Sequence, residues 1–475
     1  MSRIKLTKNM YRIKLYFIVF MMLFNVVRSQ DFVSDSSIIN KIYTEALSNG
    51  DSYKNLRNLC KDIGHRLSGS KNAEKAVQWG KVVLQRYDLD SIWLQPIKVP
   101  HWERGIIERL DIVESKNNIF STSCTALGGS IGTNGAVISG EIIEVNSWEE
   151  MNSLGEKNLK GKFVFYNRPM NPTFISTFMA YGRCVDQRHM GASQAAKFGA
   201  IGVIVRSMTL KMDKNPHTGS MQYNDSVNKI PAVAISTIDA HQLSNMLKKD
   251  SKIKARMKLS CKTLPDADSY NVIGEIKGTE YPNKVIVVGG HLDSWDIGEG
   301  AHDDGAGVVQ SIEVLKLFKQ LGIAPKHTIR CILFMNEENG NRGGESYAEY
   351  VRQKGEEHLM AIETDRGGFS PRGFSIDGSD AQIRVVQSYQ SLFEPYNLHL
   401  FKKGYGGVDI GPLRDGSICL LGLVPDSQRY FDFHHAPTDV FENVNQRELE
   451  LGSAALTSII YLIDKYGFPY LETNQ

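Results

Sequence analysis

The sequence predicts an α/β fold, a mixed and mostly parallel sheet flanked by helices, with a smaller α/β unit inserted into it. Apolar runs of about four to eight residues alternate with longer segments of helical period, which is the pattern of βαβ units with strands buried on both faces. At 475 residues the chain exceeds what one hydrophobic core serves, so two domains are expected. Between about 118 and 264 the texture changes to shorter strands and turns, and this stretch is the inserted unit.

From the N-terminus, Arg3, Lys5, Lys8, Arg12 and Lys14 precede an apolar run over 15–27, the length of a signal-peptide core and too short to span a bilayer comfortably. Residues 1–29 are therefore expected to be a leader cleaved near Ser29 that sends the chain into the secretory pathway, and 30–117 to begin the main domain. No later segment is apolar enough for a stable membrane span. In the insert, 161–166 and 199–205 read as strands around a short helix at 192–198, and 230–236 adds a further strand. Asn224-Asp225-Ser226 is a sequon, so Asn224 is a glycosylation site if the chain is exported. The six cysteines form no CxxC pair. Cys331 and Cys419 lie in apolar runs and read as buried free thiols, whereas Cys124 and Cys261 flank the insert and raise the hypothesis of a disulfide across its ends.

The remaining segment, 265–475, carries the chemistry. The run 285–288 leads to His291, which puts that imidazole at a strand's carboxyl end. After a glycine-rich loop, Asp303 opens a segment whose Val308, Val309, Ile312, Leu315 and Phe318 recur at helical spacing, with Pro325 beyond its end. The strand 328–335 then delivers Glu337 and Glu338, and 359–363 delivers Asp365, all at the edge where open α/β sheets bind ligands. Together with His435 on a later loop, these groups suffice for two divalent metals. The Asp303 carboxylate would bridge them, with His291 and Asp365 completing one site and Glu338 and His435 the other. Glu337 is left uncoordinated, as a general base requires, and Asp293 is placed to accept the second ring N–H of His291 and fix its tautomer. Any one of these motifs alone would mean little; their joint order points to metal-assisted hydrolysis by a metal-bridging hydroxide. The stretch 298–307 is not a phosphate loop, because no Gly-Lys-Ser/Thr follows it.

Asn271-Val272-Ile273-Gly274-Glu275-Ile276-Lys277-Gly278, Gly289-Gly290-His291-Leu292-Asp293-Ser294-Trp295-Asp296 and His434-His435 resemble the co-catalytic zinc exopeptidases, over nearly all of the mature chain. The resemblance implies the zinc exopeptidase fold and two Zn2+ per subunit in the ligand roles above. It also implies hydrolysis of dipeptides and short peptides as a carboxypeptidase or dipeptidase, a latent precursor with a pro-segment within 30–117, a secreted or lysosomal destination, and a homodimer. It identifies 118–264 as a protease-associated insert that walls the cleft. Of the adjacent histidines it selects His435 as ligand, since Asp439 follows at the family's spacing, and makes His434 a neighbouring structural or rim residue. His65, in the lead-in 63–70, is expected to be structural. Two departures, Val440 after Asp439 and His302 beside the bridge, remove no ligand.

The formal net charge of +2 gives no electrostatic footprint for nucleic acid, and 41% apolar with 23% charged residues is ordinary for a globular protein. Spacing does not decide polarity. Arg366, Arg342, Arg414 and Tyr405 would suit a terminal carboxylate, and Glu299 or Asp409 the free amine of an aminopeptidase substrate. An inactive receptor-like relative would have lost ligands or the base, and a single-zinc cyclase-like relative would use Asp303, Glu338 and His435 alone.

Overall fold

The predicted alternation of strands and helices folds into two sheets, and the computed structural model describes residues 33–116 and 118–468. The expected leader and its cleavage site lie outside the described residues. The main sheet has eight strands in the order Ser91–Glu103, Lys262–Ile276, His327–Phe334, Tyr281–His291, Glu357–Glu363, Cys419–Pro425, Pro371–Asp377 and Leu400–Lys403. Tyr281–His291 pairs in parallel with His327–Phe334 and Glu357–Glu363, and the latter in parallel with Cys419–Pro425. Antiparallel pairings flank this centre on both sides, so the sheet is mixed as predicted.

Period-two alternation explains why the central runs are apolar throughout. Ile286 and Val288 face the cluster built with Ile312, Leu315 and Leu456, whereas Val285 and Val287 face the cluster containing Tyr347, Ala348 and Val351. Helices Ala306–Gln320 and Gln446–Tyr466 cover the first face and Arg342–Lys354 the second. Each such side chain stabilises the fold by ~1.5–3 kcal/mol when fully buried. One close approach sets the geometry of the site: a Cβ on Gly307, in the first turn of Ala306–Gln320, would lie 1.8 Å from the Thr364 carbonyl oxygen. Glycine there lets the helix start against the loop that carries Asp365.

The second sheet runs Ile119–Ser121, Glu108–Val113, Lys254–Leu259, Ile138–Val145, Phe163–Tyr166, Gly202–Arg206, Ala232–Ile235, Cys124–Ala126. It takes in Glu108–Val113, ahead of the boundary at 118 that the sequence suggests. Leu110 and Ile112 belong to its core, but so short an alternation does not stand out directly after Ser91–Glu103. The disulfide hypothesis fails: all six cysteines are free, Cys331 and Cys419 among them as expected. Cys124 lies in the edge strand beside Ala232–Ile235, while Cys261 follows Lys254–Leu259, and burial pushes both thiols up to about 12. Among the described residues no helix is long and apolar enough to cross a membrane.

Two carboxyls are sealed between the main-sheet helices. Glu313 accepts the Asp51 amide at 3.1 Å and Glu450 the Tyr53 amide at 3.1 Å, so both cap the start of helix Ser52–Asn58. Burial pushes Glu313 up to about 7 against the pull of Lys316, with Glu450 adding to the rise. A folded-state pKa raised in this way gives stability that is complete below the ordinary carboxylate pKa and is lost as pH rises through about 7. Glu313→Gln is therefore expected to compare more favourably with the parent chain in Tm at about pH 8 than at about pH 5. A difference independent of pH would contradict this.

Candidate active site

Every acidic or imidazole group predicted at the sheet's carboxyl edge is found there. His291 is the last residue of Tyr281–His291, Glu337 and Glu338 follow His327–Phe334, and Asp365 follows Glu357–Glu363. Asp303 stands in an irregular turn, Ala301–Gly305, directly before helix Ala306–Gln320; its bond to Asp304 is cis. The two neighbouring aspartates do different work. Asp304 accepts the Gly307 amide at 3.0 Å and the His291 amide at 3.0 Å, so it caps the helix and ties it to the strand end. This leaves Asp303 free to face the cleft.

The Asp303 carboxylate faces both ways: Oδ1 is 3.2 Å from His291 Nε2 and Oδ2 is 3.2 Å from His435 Nε2. Asp365 Oδ1 is 3.6 Å from His291 Nε2, and Glu338 Oε2 is 3.1 Å from His435 Nε2. The five predicted ligands thus fall into two groups that share Asp303. Burial opposes charge on Asp303, but the His291 and His435 imidazoles overcome it and hold its pKa well below the carboxylate range. Burial lowers and the Asp303 and Asp365 carboxylates raise His291, with the net result well above an ordinary imidazole. His291 Nε2 and Asp365 Oδ1 are buried yet make no aligned hydrogen bond, as suits atoms that bind a cation. Carboxylate oxygens and imidazole nitrogens in this arrangement fit a pair of ions such as zinc.

Glu337 is half-buried, and its carboxylate has no hydrogen bond or ion pair among the described residues. Burial pushes its pKa well above the ordinary value, with His291 opposing and Asp365, Glu338 and Asp409 adding. Its backbone is fixed by Asp293, whose carboxylate accepts the amides of Asn336 at 2.7 Å, Glu337 at 3.1 Å and Glu338 at 3.3 Å. This corrects the expectation for Asp293. The ring Nδ1 of His291 is 3.1 Å from the Asp293 backbone carbonyl and 3.7 Å from its carboxylate, so the carbonyl takes the ring N–H while the carboxylate pins the loop carrying Glu337.

Other contributors come from far along the chain. Asp439 accepts the His302 amide at 2.7 Å and the Asp303 amide at 3.2 Å, which makes the aspartate four residues beyond His435 a clamp on the bridge. Buried Arg66 donates to the carbonyls of Leu292, Glu299 and Gly300 and so holds the loops that follow His291 and precede Asp303, while neighbouring His65 is exposed. Glu338 Oε1 accepts the Trp295 amide at 3.1 Å. His434 is not at the rim: it is 8% exposed, stacks on His435 at 3.5 Å, and its Nε2 is 3.9 Å from Asp303 Oδ2. The insert grips this pair from behind. His217 Nδ1 is 2.8 Å from the His434 carbonyl, and the Thr218 amide donates to the His435 carbonyl at 2.8 Å, supporting a left-handed His435 with φ of 59°.

The polarity candidates separate. Arg414 pairs with Asp377, Arg342 is exposed, and Glu299 is taken up by Lys61 and the Phe441 amide. Arg366 is half-buried, with its guanidinium 5.6 Å from the Phe178 ring centre and Nη2 3.3 Å from the Tyr405 carbonyl. Asp409 is sealed, with neither carboxylate oxygen bonded. Asn224 is exposed in a turn closed by Ser226.

The model of peptidase family M28 matches residues 271–458. Carboxypeptidase Q of Bos taurus is 35% identical over 428 residues, which cover 90% of this chain and 88% of that protein. The crystal structure of a peptidase M28 precursor from Shewanella amazonensis SB2B superposes with a TM-score of 0.87 at 30% identity, covering 93% of this chain and all of that one. A zinc aminopeptidase from Bacillus subtilis shares the fold, with a TM-score of 0.63 at 20% identity over 87% of this chain and 95% of its own.

Proposed function

Because the chain belongs to peptidase family M28, we propose that it is a dizinc exopeptidase that hydrolyses unblocked dipeptides and short peptides as a carboxypeptidase or dipeptidase. The observation that carries this reading is the division of the Asp303 carboxylate between two imidazoles, 3.2 Å from His291 and 3.2 Å from His435. His291, Asp303 and Asp365 would hold one zinc ion, and Asp303, Glu338 and His435 the other. Presence of all five ligands and of Glu337 speaks against an inactive or single-zinc relative. Carboxypeptidase Q at 35% identity favours carboxypeptidase polarity over the aminopeptidase alternative.

When bound, the ions supply Lewis acidity to the scissile carbonyl and to a shared water. Glu337, unattached and beside His291 and Asp365, takes the proton of the attacking water and returns it to the leaving amine. Asp293 holds the Glu337 backbone in place for both transfers, and Asp439 does the same for Asp303. The insert's His217 and Thr218 keep the His434-His435 turn in register. Passage through the secretory pathway to a secreted or lysosomal destination, activation from a precursor, glycosylation at Asn224 and a homodimeric assembly complete the reading.

The deciding experiment combines metal analysis with turnover. The purified protein is expected to bind two zinc equivalents, to release amino acids from unblocked dipeptides, and to lose activity to a chelator and regain it with zinc. One equivalent would favour the single-zinc alternative, and no turnover at full metal content would favour a binding role.

A further inference from the structure

Resting on that reading, we infer that the insert governs one of the two ion positions, the one formed by Glu338 and His435, and does so through Trp295 as a positioning residue. Trp295 belongs to the loop after His291, yet its side chain is buried in the core of the second sheet, in the cluster that holds Trp102, Ala126 and Phe163. Trp102 meets it edge-on with ring centres 6.5 Å apart, and a Cβ on Gly128 would stand 1.8 Å from its Cη2. The Trp295 Nε1 has no partner among the described residues, so packing rather than hydrogen bonding sets where the ring lies. Asp296, next in sequence, is fastened to the same region. Arg104 donates to both of its carboxylate oxygens, to Thr125 and to the Ala126 carbonyl.

From that pocket Trp295 reaches both outer members of one ligand group. Its amide donates to Glu338 Oε1 at 3.1 Å, and its ring meets the His435 ring edge-on with centres 5.8 Å apart. His435 has a second tie to the same stretch of the insert. The Thr218 amide donates to the His435 carbonyl at 2.8 Å, Thr218 Oγ1 donates to the Ala126 carbonyl at 2.8 Å, and the Gly128 amide donates to the Gly219 carbonyl at 2.9 Å. Residues 126–128 therefore stand behind both ligands. The other group is backed differently: Asp304 holds the His291 amide, the Asp293 carbonyl takes its ring N–H, and Gly289 and Gln310 tie Thr364, the residue before Asp365. Those ties stay within the main domain, as does the Asp439 clamp on the shared Asp303. Groups that orient a metal ligand are worth about 10- to 100-fold in metal affinity. A change in the insert is thus felt at the Glu338–His435 position and not at the His291–Asp365 position.

Gly128→Ala provides the test, because the added methyl displaces the Trp295 ring from a position outside the ligand set. Zinc is titrated calorimetrically into the metal-free parent protein, into Gly128→Ala, and into Gly128→Ala combined with Glu338→Ala or with Asp365→Ala, with circular dichroism and Tm recorded for each. The parent protein is expected to bind two equivalents. Gly128→Ala keeps one at the parental affinity and binds the other about 10- to 100-fold more weakly. In the Glu338→Ala background, which retains the His291 position, Gly128→Ala changes nothing further; in the Asp365→Ala background, which retains the other, it costs the full factor. Trp295→Phe keeps a ring in the pocket, gives a smaller loss in the same pattern, and carries the test should Gly128→Ala not fold. Equal weakening of both ions, or of neither, would reduce Trp295 to a core residue and overturn the inference while leaving the dizinc peptidase standing. A parent protein that binds fewer than two equivalents would remove the dizinc reading itself.

Discussion

Glu337→Gln is expected to keep its full zinc content and fold while kcat falls by about 10²- to 10⁴-fold, the range for a lost general acid–base group. The substitution changes little except the ability to accept a proton. Glu337 makes no side-chain hydrogen bond or ion pair among the described residues, so no partner is left unsatisfied, and its backbone amide keeps its bond to Asp293. None of the five proposed ligands depends on its carboxylate. Burial together with Asp365 and Glu338 pushes Glu337 upward as long as those neighbours are bare carboxylates. Divalent ions on the neighbours would reverse that influence and return Glu337 to a charged, proton-accepting state near neutral pH. The measurement is steady-state turnover of an unblocked dipeptide beside metal analysis of the same sample. Turnover equal to that of the parent enzyme would remove Glu337 from the chemistry; loss of zinc would recast it as a ligand.

Strand-end placement is why so much of this site is legible in the sequence. An apolar run buried on both faces declares its own end, and His291, Glu337, Glu338 and Asp365 each follow such an end within a few residues. Asp303 is legible because a helix of clear period begins just after it. What escapes is the layer behind the ligands. Asp304 and Asp303 are adjacent and chemically identical, and only the fold shows that one caps a helix while the other faces the cleft. Asp439 reaches Asp303 from 136 residues away and Arg66 reaches Leu292 from 226, separations at which no local pattern survives. Spacing puts Asp293 beside His291 but cannot tell a side-chain acceptor from a backbone one, and it is the backbone carbonyl that takes the ring N–H. The insert carries no predicted ligand, yet His217, Thr218 and Arg188 all touch the His434-His435 turn.

Asp303→Ala is expected to fail in a different way: both zinc ions are lost, and Tm falls even before metal is added. The two oxygens of this carboxylate stand 3.2 Å from His291 and 3.2 Å from His435, so its removal leaves each proposed ion short of a ligand and ends their coupling. The metal-free protein suffers as well. Asp303 is the group that the two buried imidazoles share, and breaking a buried pair costs about 3–5 kcal/mol. Part of that cost is offset, because Glu338 and Asp365 are relieved of the like charge of Asp303 and keep His435 and His291 beside them. Asp303→Asn separates the two contributions: the amide keeps the shape and a donor for the cleft but cannot bridge two cations, so metal binding is lost with a smaller drop in Tm. Zinc titration and thermal unfolding of both variants, with and without metal, check this. A fully metallated Asp303→Ala protein would mean that the ions do not share this carboxylate, and the case for a co-catalytic pair would have to rest on the two ligand groups separately.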